Sequence, residues 1–127
     1  MKNPIKTNNA PQAIGPYNQA IEAASFVFVS GQIPFDKDGN LVSDDVKKQT
    51  LQCLKNIESI LKENGLAKDS IVKTTIFLKD MNDFVLVNEE YANFFEGTIY
   101  PARATVEVAR LPKDVKIEIE AIAIKDK

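Results

Sequence analysis

The feature that most constrains the fold of this chain is a two-residue alternation of side-chain polarity near the C-terminus. In residues 103–108 the odd positions are polar and the even positions are apolar, whereas residues 115–120 follow the opposite phase. A period of two is typical of a β-strand with one apolar and one polar face. The segment Leu111–Asp114 between the two runs contains a proline and favours a turn. The sequence therefore predicts two antiparallel strands joined as a hairpin.

Charge favours one register of this hairpin. In that register Glu107 faces Lys116, whereas a shift by two residues sets Glu107 against Glu118, and like charges across a ladder are destabilising. The favoured register places Arg103 opposite Glu120 and diagonal to Glu118. A guanidinium can bind a substrate carboxylate, and a neighbouring glutamate can bind a water molecule beside it. The pair is therefore suited to an active site. The alternative interpretation is a charged ladder that faces solvent, since most exposed ion pairs contribute little.

Composition indicates one globular domain over residues 1–127, because 44% of the residues are hydrophobic and 27% are charged. The net charge of −2 arises from 16 basic and 18 acidic residues mixed along the chain, so we do not expect a nucleic acid as a partner. No signal peptide is evident, and no apolar run approaches the roughly 20 residues that a membrane helix needs. We therefore expect a cytoplasmic protein without a membrane segment.

The supply of catalytic side chains is restricted. The chain contains one cysteine, Cys53, and no histidine, which excludes zinc sites built from those ligands and the usual Ser-His and Cys-His pairs. Acid-base chemistry must then use Asp, Glu, Tyr, Lys or water. Cys53 falls on an apolar helical stripe and is expected to be a buried structural thiol.

The N-terminal half begins with a polar arm over residues 2–13, followed by a strand predicted from Tyr17 to Ala23. The segment Phe26–Val29 is apolar at every position, which predicts a strand buried on both faces. Ser30 and Gly31 follow it, where the sequence fits either a bulge or a backbone contact to a ligand. The acidic segment Asp36–Asn40 lacks the glutamate that would complete a calcium loop and is expected to be a turn.

Two amphipathic helices follow, with a strand predicted between them over Ile71–Leu78. The first is expected to be capped by Ser43 and to end at Gly65. The second is expected to be capped by Asp80 or Asn82 and to end at Gly97. Their predicted apolar stripes are Val46, Thr50, Cys53, Leu54, Ile57, Ile60 and Leu61 in the first helix, and Phe84, Val87, Tyr91, Phe94 and Phe95 in the second. Asn88 lies on the second stripe, where its amide either tethers a loop or faces a cleft.

This order of elements predicts an α+β fold in which both helices pack on one face of a mixed β-sheet. The other face has no helix to cover it and would expose part of the apolar Phe26–Val29 strand. We expect Arg103 and Glu118 to lie together on this open face. An exposed apolar sheet favours a homo-oligomer whose subunits pack their sheets together.

Three motifs in the chain resemble the signature of the YjgF/RidA family. They are Ile14-Gly15-Pro16-Tyr17, Val29-Ser30-Gly31-Gln32-Ile33-Pro34, and Pro101-Ala102-Arg103 followed by Val106, Leu111 and Ile117-Glu118-Ile119. The resemblance covers almost the whole chain. It implies a chorismate-mutase-like fold and a homotrimer with clefts between subunits.

The resemblance also implies an activity, the hydrolysis of 2-enamino or 2-imino acids to 2-keto acids and ammonia. Substrates of this class include 2-iminobutanoate and 2-iminopropanoate, and no metal or cofactor is expected. By this resemblance Arg103 binds the substrate carboxylate, Glu118 orients or deprotonates water, and Tyr17 packs on the substrate. The expected substrate-binding residues are Ser30, Gly31, Asn88 and Thr105.

Thr105 is a departure from the family pattern, because many relatives carry a cysteine two positions after the signature arginine. A hydroxyl here can still donate a hydrogen bond into a cleft, but it supplies no thiol. The competing class of function is a metabolite-binding or protein-binding module that keeps the cleft without useful turnover. RNA cleavage is the weakest alternative, since the chain has neither histidine nor a basic stripe.

Overall fold

A computed structural model describes residues 1–125 of the chain. The two helices are α1 (Val46–Glu63) and α2 (Phe84–Phe94). The six strands are β1 (Asn3–Ile5), β2 (Ala20–Ala23), β3 (Phe26–Gln32), β4 (Ile71–Leu78), β5 (Ala102–Glu107) and β6 (Ile117–Ile124). Within these 125 residues, neither helix combines the length and apolar character needed to cross a membrane.

The six strands form one mixed sheet in the order β1-β2-β3-β6-β4-β5. The β4–β5 pair is parallel, and every other pair is antiparallel. Both helices pack on one face, where their apolar stripes meet alternate residues of the central strands. The predicted α+β architecture is confirmed.

The predicted C-terminal hairpin is wrong, because β5 and β6 lie on opposite sides of β4. Lys79 donates its N–H to the carbonyl of Lys116 and Val108 donates to that of Leu78, so the chain leaves β5 and enters β6 around the end of β4. Cross-strand charge pairs contribute about 0.2–1 kcal/mol each. Enclosing β4 buries Ile76 and Leu78 completely, and each such side chain contributes about 1.5–3 kcal/mol. Apolar burial therefore outweighs the charge pattern.

The Phe26–Val29 segment is buried on one face only, which corrects the expectation of two. Val27 and Val29 face the helices and are almost inaccessible, whereas Phe26 and Phe28 are 39% and 45% exposed. Their cross-strand neighbours on β6 are the apolar residues 122 and 124. One chain alone thus leaves an aromatic and aliphatic patch on the open face of its sheet, as the element order predicted.

The buried residues of both helices match the predicted apolar stripes closely. All seven predicted stripe residues of α1 are buried, as are Val87, Tyr91, Phe94 and Phe95 of the second stripe, while Phe84 is partly buried. The cap of α1 is Asp45, whose carboxylate accepts the N–H of Lys48 at 2.9 Å; Ser43 accepts from Asp45 instead. Gly65 has a φ of 74° and donates to the carbonyl of Lys62, so the predicted helix end is confirmed.

The N-terminal arm differs most from its prediction. Residues 3–5 form the edge strand β1, and β2 begins at Ala20 rather than at Tyr17. The buried amide of Gln19 accepts the Thr7 N–H at 2.7 Å and donates to the carbonyls of Thr7 and Pro11. The Gln19 side chain therefore holds the part of the arm that has no β-ladder. The residues around Tyr17 form a loop.

Cys53 is fully buried beneath the sheet, and burial raises the pKa of its thiol well above the ordinary value. A thiol in this state stays protonated and is a poor nucleophile. The structural role predicted for Cys53 is therefore confirmed.

Truncation to alanine is expected to affect stability very differently at two adjacent positions of α1. Leu54→Ala should lower the free energy of unfolding by about 2–5 kcal/mol, since Leu54 is fully buried and the vacated space cannot close completely. Lys55→Ala, one residue away and exposed, is the matched control and should change it by less than about 0.5 kcal/mol. Urea unfolding at one fixed protein concentration measures both; equal effects would contradict the assigned core.

Candidate active site

A recess on the open face of the sheet is centred on Glu118 of β6. Tyr17, Ser30, Gly31 and Glu120 also line it. The Glu118 carboxylate is half-buried, and burial followed by repulsion from Glu120 raises its pKa above the ordinary glutamate value. A carboxylate with a raised pKa is a better proton acceptor than an ordinary one.

A β-bulge at the end of β3 makes room for this carboxylate. Val29 pairs with Ala121 and Gln32 pairs with Ile119, so Ser30 and Gly31 together face only residue 120. A Cβ atom at Gly31 would overlap the Glu118 carboxylate. Gly31 is thus required for close approach rather than for an unusual backbone angle. Of the two interpretations of this segment, the bulge is confirmed.

Tyr17 stands at the mouth of the recess, on the loop that precedes β2. Its hydroxyl accepts the N–H of Ile14 at 3.4 Å, and the ring is 52% exposed. Ser30 holds this loop, because its hydroxyl donates to the carbonyl of Asn18 and its N–H donates to that of Gln19. The Ser30 N–H is consequently engaged within the chain, and only oxygen lone pairs of this residue are open to a ligand.

A second recess lies at the β5 edge of the sheet, between Arg103 and α2. The guanidinium donates through Nη1 to Asn88 Oδ1 at 2.7 Å and lies 4.9 Å from the ring centroid of Tyr91 and 5.5 Å from that of Phe84. Tyr100 completes the wall. Within residues 1–125 no carboxylate forms an ion pair with Arg103. The Arg103 guanidinium is therefore oriented by the Asn88 amide and two aromatic rings, while its charge stays available to an anion.

The two recesses do not meet within one chain, which corrects the expectation that Arg103 and Glu118 share a face. Arg103 lies opposite Thr74 of β4, and Glu118 lies opposite Phe77. Positions three residues apart on a strand point to opposite faces, so Arg103 points toward α2 and Glu118 toward the open face. Two strand spacings and three residues separate their backbones by roughly 14 Å.

Comparison with known proteins places the chain in a family. A family model described as endoribonuclease L-PSP matches residues 7–125. The chain belongs to the YjgF/RidA family. It is 56% identical to a RutC family protein of Pyrococcus horikoshii, covering 99% of this chain and all of that one. It is 53% identical to the 2-iminobutanoate/2-iminopropanoate deaminase of Salmonella typhimurium, covering 98% and 99% of the two chains.

The fold agrees with this assignment. The crystal structure of Escherichia coli TdcF with bound serine superposes with a TM-score of 0.94 at 46% identity, over 98% of this chain and 99% of that one. The predicted chorismate-mutase-like, YjgF/RidA-type fold is thereby confirmed. All three likenesses extend over nearly the full length of both partners.

Thr105 shares the helix-side face of β5 with Arg103, two residues along the strand. Its hydroxyl oxygen is buried and has no hydrogen-bond partner among the described residues. A buried hydroxyl without a partner is costly unless a ligand or water satisfies it. A contact between Thr105 and a bound molecule stays a prediction.

Tyr91, Phe84, Tyr100 and Glu120 were not predicted as site residues. Tyr91 was assigned to the apolar stripe of α2, where it also belongs, since it shares a 2.6 Å hydrogen bond with Thr74. The signal that could have revealed its second role is helical spacing, because Phe84, Asn88 and Tyr91 fall on one face of α2. Within residues 1–125, no cluster of acidic or sulfur ligands is arranged to hold a metal ion.

The charge of Glu120 is expected to tune Glu118. Glu120→Gln should lower the pKa of Glu118, because it removes a negative neighbour, yet leave it above the ordinary value, because burial is the larger cause. An NMR titration of the side-chain carboxyl carbon measures the change. Glu107→Gln on the opposite face is the matched control and should leave the pKa of Glu118 in place; no response to Glu120→Gln would remove Glu120 from the site.

Proposed function

We propose that this protein hydrolyses reactive 2-imino acids and their 2-enamino tautomers, such as 2-iminobutanoate and 2-iminopropanoate, to 2-keto acids and ammonia. The observation that carries the proposal is the Arg103 guanidinium, which Asn88 orients and which no carboxylate of residues 1–125 neutralises. A planar fork of this kind matches a carboxylate. The activity named for the Salmonella relative is consistent with it.

The two recesses form one site when a second copy of the chain supplies the missing half. β5 is an edge strand with five of its six residues exposed, and Arg103 lies on it. The open face that carries Glu118 also carries the exposed Phe26 and Phe28. Burying this face against the β5 edge of a neighbour removes apolar surface from water and brings Arg103 of one copy toward Glu118 of the next. A closed ring of three such contacts is a homotrimer with three clefts.

Binding in such a cleft begins at the carboxylate. Two parallel N–H donors of Arg103 bind the two carboxylate oxygens, and the buried Thr105 hydroxyl donates a further bond. Asn88 prevents rotation of the guanidinium. The C=N carbon, one bond from the carboxylate, is then held at a fixed distance from Glu118 on the facing subunit.

Glu118 handles the protons of the reaction. Its carboxylate accepts a proton from water as the water oxygen bonds to the C=N carbon and the π electrons move to nitrogen, and it passes that proton to the nitrogen. Glu118 then takes the hydroxyl proton of the resulting carbinolamine and transfers it to the amine nitrogen, the C–N bond breaks as the C=O bond forms, and ammonia leaves with the 2-keto acid. Every atom is accounted for by one water, so no metal or cofactor is needed. Tyr17 covers the site and Gly31 leaves space for the carboxylate.

A cytoplasmic location belongs to the same proposal. The only cysteine is a buried free thiol, which fits a reducing compartment. Short-lived imines formed by cytoplasmic enzymes would be accessible to the protein there.

The test is to generate 2-iminobutanoate or 2-iminopropanoate in situ with an amino-acid oxidase and to follow release of the 2-keto acid. The wild-type protein should accelerate release in proportion to its concentration. No acceleration would favour the alternative, a metabolite-binding or regulatory module that keeps the cleft without turnover. Cleavage of RNA by the same preparation, without imine hydrolysis, would replace the proposal with the endoribonuclease activity in the family description.

Loss of the Arg103 guanidinium, the proposed anchor of the substrate carboxylate, is expected to weaken transition-state binding. Arg103→Ala should lower kcat/KM by roughly tenfold to a hundredfold or more, since a charge-assisted contact of about 1.5–3 kcal/mol is removed. Arg103→Lys keeps the charge but not the fork and should recover only part of the loss. Steady-state kinetics measure both variants. Equal activity of the wild type and Arg103→Ala would exclude this anchor.

Mixing two inactive variants tests whether the site spans two copies. Arg103→Ala and Glu118→Gln proteins, unfolded together and refolded as a mixture, should regain activity, because one interface in every mixed trimer pairs an intact Arg103 with an intact Glu118. About three quarters of randomly assembled trimers are mixed and each holds one intact site, so about one quarter of wild-type activity is expected. The double variant, refolded with the wild type, controls for dilution. No recovery would contradict a site that takes Arg103 from one copy and Glu118 from the next.

A further inference from the structure

A third recess adjoins the Glu118 recess and shares three of its lining residues, Tyr17, Gly31 and Ile33. Its remaining wall comes from the N-terminal arm and from the segment after β3, including Ile14 and Phe35. Gly31, at the bulge, lines both spaces and carries no side chain that would extend into either. A molecule that reacts at Glu118 therefore has an adjoining space into which a substituent can extend.

The surface of this recess is mainly apolar. Its apolar lining includes Ile14, Ile33, Phe35 and the ring of Tyr17. Glutamine side chains that reach it use their amide donors within the chain: Gln12 and Gln19 donate to carbonyls of the arm, and Gln32 donates to the Ser30 carbonyl. Few polar groups are left to recognise a polar substituent.

The charged residues of the recess lie at its mouth. Lys37 and Lys113 are exposed, and the exposed Asp38 beside them has the opposite charge. Charges of both signs in water do not select strongly for an anionic or cationic substituent. The interior of the recess thus favours an uncharged, apolar group.

The size of the recess is about 320 Å³, which is roughly the volume of ten waters at about 30 Å³ each. This is the lower end of the range found for small-ligand pockets. It exceeds what the methyl or ethyl group of 2-iminopropanoate or 2-iminobutanoate would fill. A branched aliphatic or an aromatic substituent fits the space better.

We propose that this recess, the side-chain recess, binds the substituent of the imino acid substrate, and that the protein prefers imines with bulky apolar side chains, such as those derived from leucine and phenylalanine. The inference rests on the proposed function, because it takes the substrate carboxylate to bind Arg103 and the C=N carbon to lie at Glu118. The third substituent of that carbon then enters the side-chain recess. Ile14 and Phe35 are the specificity-determining residues.

Ile14 is well suited to a test of the side-chain recess. It lines this space but not the Glu118 recess, and it is 78% exposed, so its replacement leaves the core intact. Ile14→Trp partly fills the recess and Ile14→Ala enlarges it. Phe35→Trp narrows the opposite wall. Lys55→Trp, on the outer surface of α1, is the matched control for adding an indole.

The measurement is the ratio of kcat/KM for a phenylalanine-derived imine to that for an alanine-derived imine, both formed in situ. In the wild type this ratio should be about ten or more, within the range that apolar pockets achieve. Ile14→Trp and Phe35→Trp should each lower it about tenfold, whereas Lys55→Trp should leave it unchanged. A wild type that hydrolyses the alanine-derived imine but discriminates against the bulky one would overturn the proposal, as would a ratio that neither tryptophan on the recess wall alters.

Product binding distinguishes this proposal from the proposed function. Calorimetry with phenylpyruvate and pyruvate reports the side-chain recess without requiring turnover. Tighter binding of phenylpyruvate that Ile14→Trp abolishes would support the recess even in a protein that hydrolyses no imine. Equal Kd values for the two keto acids in the wild type would overturn it even if deamination is confirmed.

Discussion

The enclosure of β4 between β5 and β6 is the constraint on which the rest of the structure depends. It saturates the backbone of β4 on both sides and buries Ile76 and Leu78 against the helices. It also fixes which way the side chains of both neighbouring strands point. Arg103 is directed toward α2 and Glu118 toward the open face. A packing requirement of the core thus places the two proposed site residues, Arg103 and Glu118, on different surfaces.

The two half-sites differ in how they treat charge. Around Arg103 an amide and two aromatic rings orient a cation without neutralising it. Around Glu118 the surroundings oppose the charge, because burial and Glu120 both raise the pKa of the carboxyl group. One half is therefore prepared for an anion and the other for a proton. In the proposed trimer this division adds a functional reason for assembly to the apolar patch of Phe26 and Phe28.

Much of the fold could be predicted because its signals are local. The α1 stripe, the Gly65 helix end and the bounds of β4 follow from periodicity and from backbone preferences. The β1 strand escaped prediction because it pairs with β2 across a long intervening loop, and its own three residues carry no local strand pattern. Among the site residues, Gly31 was identified by motif, but its contact with Glu118 depends on the bulge register. Tyr91 was recognised only as a core residue because one aromatic ring serves both purposes.

The sequence by itself determined both helices and most of the strands, the family and the chemical types available for catalysis, since these depend on residue identity and spacing. Only the tertiary structure decided that the last two strands do not pair. Their charge pattern fits a hairpin, but the pattern carries less free energy than the burial of β4 between them. Strand order is a property of the whole sheet, because every strand competes for the same neighbours. For that reason the separation of Arg103 from Glu118 emerged only from the fold.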